Sequence, residues 1–76
     1  MNKKKNNLVT VGIPFHLGTN PIYFQESIDS ILNQSHLPSI IHLIQDGPVS
    51  KELKLIVEKY ENDFIHMIKV IILPKK

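Results

Sequence analysis

Three short runs of this chain are almost wholly apolar, and the apolar positions between them recur at helical spacing. The middle run, residues 40–45 (Ile-Ile-His-Leu-Ile-Gln), stops at Asp46, Gly47 and Pro48. Its apolar residues lie on both alternating sides, Ile40 and Ile44 on one and Ile41 and Leu43 on the other. A strand with one wet face alternates apolar with polar; a strand covered on both faces does not. The run is therefore expected to be the middle strand of a parallel sheet. Residues 8–14 and 68–73 are its expected neighbours, with a helix in each gap.

In the first run, Val9, Val11 and Ile13 share one face, and Thr10 and Gly12 share the other. Gly12 leaves room for a packed helix or a ligand to approach the backbone. Pro14 gives no ladder hydrogen bond, so the strand is expected to end there. Residues 15–20 form a loop bending at Gly18. Asn20 followed by Pro21 is a helix start: a side-chain cap, then a proline at the first helical position. Phe24, Ile28, Ile31 and Leu32 fall on the inner face, with Gln25, Glu26, Asp29 and Asn33 opposite. Pro38 stops any continuation. Ser50 caps a second helix, whose inner stripe is Leu53, Ile56, Val57 and Tyr60 and which closes at residues 61–63. Residues 64–67 have no clear period.

The order β-α-β-α-β with right-handed crossovers puts both helices on one face of the sheet, with residues 40–45 between the other two strands. The other face, equally apolar in the middle strand, is then left without cover. The outer edge of the first strand is unpaired as well, an aggregation hazard in a finished fold. The chain therefore reads as half of a larger unit.

Composition narrows the options. Seventy-six residues suffice for one small domain. Cysteine is absent, which removes disulfide and thiolate chemistry and favours a cytoplasmic location. No apolar run approaches the roughly 20 residues of a membrane span. Thr10, Gly12 and Pro14 interrupt the apolar run behind Lys3, Lys4 and Lys5, so no signal peptide is expected. The net charge of +2 comes from the ends: five of the nine basic residues are Lys3, Lys4, Lys5, Lys75 and Lys76. Four lysines against seven acids remain between, and there is no arginine. Without a basic stripe, a nucleic-acid partner is not expected.

The candidate chemistry lies where strands end. Asp46 would sit at the carboxyl edge of the middle strand, where open α/β sheets bind ligands. Its carboxylate would accept a hydrogen bond from a base or sugar; equally, Asp-Gly is an ordinary turn. Phe15 and His16 follow the first strand onto the same rim, either as rings for a base to stack on or as lids over the core. His36, His42 and His66 have no metal-ligand spacing, and His42 is expected to be a packed, hydrogen-bonded strand residue. No serine sits in a Gly-x-Ser-x-Gly elbow, and the three glycines form neither a dinucleotide fingerprint nor a phosphate loop.

Residues 9–16 (Val-Thr-Val-Gly-Ile-Pro-Phe-His), 24–35 (Phe-Gln-Glu-Ser-Ile-Asp-Ser-Ile-Leu-Asn-Gln-Ser) and 41–47 (Ile-His-Leu-Ile-Gln-Asp-Gly) together resemble the amino-terminal part of the family-2 glycosyltransferases. The resemblance implies the GT-A fold, with residues 8–75 forming its nucleotide-sugar-binding half as a three-stranded parallel, Rossmann-like sheet and residues 1–7 a polar tail. It implies that Pro14, Phe15 and His16 lie along the base and ribose of a nucleotide-diphosphate sugar, of uridine type, and that Asp46 accepts a hydrogen bond from the base. Family members often carry two acids before the glycine; here Gln45 takes the first place. The family's metal-binding acids and catalytic base come from later segments, so no catalytic residue and no metal ligand is assigned here. The parent enzyme would use a divalent cation, Mg or Mn, and a carboxylate base. The expectation is thus a truncated glycosyltransferase, inactive alone, partnered by the missing carboxyl-terminal part. Its parent would be cytoplasmic or at the inner membrane surface, with no membrane span. The competing expectations are a small non-catalytic nucleotide-binding module and an interaction module that adds its open strand edge to a partner's sheet.

Overall fold

The computed structural model describes residues 9–74. The polar tail at residues 1–7 and the expected limits Leu8 and Lys75 lie outside them. Within this range the order is β1 (Thr10–Phe15), α1 (Pro21–Leu32), β2 (Ile40–Gln45), α2 (Lys51–Asp63) and β3 (Ile68–Ile72). The strands form one sheet in the order β1-β2-β3, and both pairings are parallel. The chain is an α/β unit with a three-stranded parallel sheet. No helix among the described residues is long and apolar enough to cross a membrane.

Both helices begin where the sequence places their caps. The Asn20 side chain accepts the backbone N–H groups of Ile22 and Tyr23 at 2.9 and 3.2 Å. Ser50 Oγ accepts the N–H of Leu53 at 3.2 Å. These bonds satisfy donors that a helix start would otherwise leave open.

Register decides which side chains share a face. Val11 pairs with Ile41, Ile13 with Leu43 and Phe15 with Gln45; Ile41 and Leu43 in turn pair with Ile68 and Val70. This face carries the core. Phe15, Ile41, Leu43 and Ile68 are at most 1% exposed and meet Phe24 and Ile28 of α1 and Leu53, Val57 and Tyr60 of α2. Burying each such side chain contributes roughly 1.5–3 kcal/mol. Tyr60 also donates its phenolic O–H to Asp29, joining the two helices. Asp29, expected on the solvent side of α1, therefore has a structural partner.

The opposite face holds Thr10, Gly12 and Pro14, then Ile40, His42 and Ile44, then Lys69 and Ile71. None of these residues is buried. Two helices do cover a single face, as expected, and half of the apolar surface of β2 stays open. His42 is half-exposed on that open face, which corrects the packed position expected for it. The space Gly12 leaves is taken up from within: a Cβ there would stand 3.2 Å from Ile44 Cδ1.

β1 runs one residue past its expected end, with Pro14 inside it. The carbonyls of Val9 and Phe15 both point to β2, accepting from Ser39 and Asp46 at 2.9 Å each. Alternation then turns the nitrogen of Pro14 to the unpaired edge, where a missing N–H breaks no bond. At the other side β3 ends at Ile72, although Leu73 N–H still donates to the Gln45 carbonyl at 3.0 Å.

Candidate functional site

The carboxyl ends of β1 and β2 open onto one rim, because the strands are parallel and in register. Asp46 N–H donates to the Phe15 carbonyl at 2.9 Å, so the chain after β2 lies directly against the chain after β1. Pro14, His16 and Asp46 are all exposed here. The caps of α1 and α2, Asn20 and Ser50, follow within a few residues. The positive ends of both helix dipoles therefore face this rim.

Phe15 differs from the other candidates. Its ring is 1% exposed and packs on Phe24, the ring centroids 4.8 Å apart and tilted by 41°. It closes the core under the rim, so a base cannot stack on it, and only its backbone belongs to the surface. The lid reading of this residue holds and the stacking reading is corrected. The physical reason is strand alternation: residue 15 continues the inward series of Val11 and Ile13.

His16 is held by its own loop. Thr19 N–H donates to the His16 carbonyl at 3.0 Å, and His16 N–H donates to Thr19 Oγ1 at 2.9 Å. Gly18 N–H donates to His16 Nδ1 at 2.9 Å. The turn after β2 is held in a similar way. Gly47 adopts a φ of 81°, a left-handed conformation that favours glycine, and Gln45 Nε2 donates to its carbonyl at 2.9 Å. Gln45 thus clasps the turn that carries Asp46. The supporting roles of Gln45, Gly18 and Thr19 were not read from the sequence. A donor or acceptor two or three residues from the residue it holds was the available signal.

Residues 14–20 and 45–50 include no lysine and no arginine. The rim's side chains include a carboxylate, an acceptor, at Asp46 and an imidazole at His16. Among the described residues no group of three or more His, Asp or Glu side chains could hold a metal ion.

A cavity of about 440 Å³ opens elsewhere, lined by Val9, Val11, Gln34, His36, Leu37 and Pro38. It lies at the amino-terminal ends of the strands, the far end of the sheet from Asp46. Hollow space alone would favour it, but no carboxylate lines it and its histidine has no second titratable partner there. No family model, curated protein or solved structure was found to match this chain.

Proposed function

We propose that this chain is the nucleotide-binding half of a glycosyltransferase of GT-A type, whose parent transfers a sugar from a nucleotide-diphosphate sugar to an acceptor. The observation that carries the reading is the junction of Asp46 with the end of β1, on the rim where parallel α/β sheets bind nucleotides. The segments around residues 9–16, 24–35 and 41–47 support it through their resemblance to that family. In this reading Asp46 accepts a hydrogen bond from the base, and Pro14, the Phe15 backbone and His16 line the base and ribose. A divalent cation bound by the complete enzyme would neutralise the leaving diphosphate, and a carboxylate base outside this chain would deprotonate the acceptor.

Uridine diphosphate titrated into the 1–76 chain is expected to shift the backbone resonances of His16, Asp46 and Gly47. Asp46→Ala is expected to weaken binding about tenfold or more, the loss of a hydrogen bond to a charged group. A wild-type chain whose spectrum does not respond to millimolar nucleotide would overturn the reading. The open edge of β1 favours one other reading, strand addition to a partner's sheet. Thr10 and Gly12 can offer N–H groups along that edge, but Pro14 cannot, so such pairing would stop before the rim.

A further inference from the structure

We infer that the open edge of β1 is a homodimer surface, on which β1 of a second copy lies antiparallel with Thr10 opposite Gly12. The backbone directions come first. The carbonyls of Val9 and Phe15 accept N–H groups of Ser39 and Asp46, at the two ends of β2. By alternation the odd-numbered residues of β1 bond to β2, and the N–H and C=O groups of Thr10 and Gly12 point outward. Pro14 faces the same way but has no N–H. Two-fold pairing centred on Val11 sets Thr10 of each copy opposite Gly12 of the other, and each such pair exchanges both of its N–H···O bonds. Pairing centred on Gly12 would set Thr10 against Pro14 and lose a donor in each copy. Centring on Val11 is thus the register in which Thr10 and Gly12 both find complete partners among residues 10–15.

The side chains agree with that register. Val9 and Val11 line the cavity of about 440 Å³, together with Leu37 and Pro38 of the loop before β2. The second copy's Ile13 would stand beside Val9, and its Val11 beside Val11, so aliphatic side chains meet along that wall. Val9, 52% exposed, would thereby gain cover. Charge points to a second copy as the occupant. Edge strands that stay single are commonly protected by lysine or another charge. Residues 9–15 and 34–38 include no lysine, arginine, aspartate or glutamate, so two copies approach without like-charge repulsion. A two-fold axis through Val11, normal to the sheet, keeps the helices of both copies on one face. It joins two three-stranded sheets into one and closes both β1 edges.

The chain has no cysteine, so single cysteines in the full 1–76 chain map the contact. An Ile71→Lys background places a charge on the open sheet face and leaves β1 unchanged. Facing residues of a non-hydrogen-bonded antiparallel pair have Cα atoms about 4.5 Å apart, within disulfide range. Val11→Cys is expected to oxidise to a covalent dimer at least about tenfold faster than Val9→Cys or Ile13→Cys alone, whose copies lie out of that range. A mixture of the Val9→Cys and Ile13→Cys chains should cross-link. Thr10→Pro removes an outward N–H, as Pro14 does, and breaks no bond to β2. It is expected to raise the dimer dissociation constant about tenfold or more in sedimentation. The Thr10 and Gly12 amides should become protected from hydrogen exchange as the wild-type concentration rises. A chain that stays monomeric at millimolar concentration overturns the inference. So do dimers that survive Thr10→Pro with those amides unprotected, since their contact lies elsewhere. Equal cross-linking at positions 9, 11 and 13 overturns the register. None of these readouts involves a nucleotide, so failure here is distinct from failure of the nucleotide reading.

Discussion

Tyr60 shows how much one side chain does in a core this small. Its ring is 5% exposed, stacks near Phe64 with centroids 6.4 Å apart, and sends its hydroxyl to Asp29 across the helix interface. Burial first, and the bond to the Asp29 carboxylate second, push the phenol up from 10.0 to about 12. The folded state therefore prefers the neutral phenol more than the unfolded state does. That stability is fully present below pH 10 and is lost as the pH rises from 10 through 12. Tyr60→Phe is expected to cost about 1–2 kcal/mol at neutral pH, measured by urea unfolding. The difference between wild type and variant should shrink between pH 10 and 12; a constant difference would mean the hydroxyl bond is not the source. Phe15 shows the converse case. Its inward position was legible in the two-residue period of Val9, Val11 and Ile13, but the proline before it suggested that the strand was already over. Only the free edge beside Pro14 reveals why the strand can continue.

The helices are the elements most fully readable in advance. Asn20 and Pro21 mark the start of α1 and Ser50 marks that of α2, because capping is chemistry within three residues. Asn20→Ala removes the acceptor for two N–H groups and is expected to lower stability by about 1 kcal/mol. The same change to Gly should cost only a few tenths of that, and thermal unfolding of both variants checks the ranking. If Ala and Gly were equally damaging, Asn20 would matter through tertiary contacts instead. The strands were readable to within two residues at their ends, and the middle strand fully. His42 was misplaced for a simple reason. An apolar strand suggests cover on both sides, and the periodicity cannot say which side lacks it.

At the scale of the whole molecule, the uncovered face is the dominant fact. Ile71 and Leu73 are 38% and 41% exposed, and Ile40 and Ile44 are only half-buried. Contiguous apolar surface of this kind seeks a partner. The 1–76 chain is expected to self-associate as its concentration rises and to bind a hydrophobic dye while folded. Ile71→Lys should raise the monomer fraction in sedimentation while changing stability by no more than about 0.5 kcal/mol. A large loss of stability instead would show that Ile71 is packed within the monomer. The rim carrying Asp46 and His16 is a product of this same scale, since it exists only because β1 and β2 run parallel and in register.

Local chemistry in the sequence was sufficient for the caps, the helix stripes, the middle strand and the parallel β-α-β-α-β order, since each depends on spacings of a few residues. Tertiary structure alone decided three further points. It brought Asp29 to Tyr60 across 31 residues, turned the Phe15 ring away from the rim, and folded the Gly18 N–H onto the His16 imidazole. Periodicity assigns a residue to a face, but what meets that face depends on how separate elements pack. That packing is settled by the burial of the chain as a whole and not by any one stretch of it.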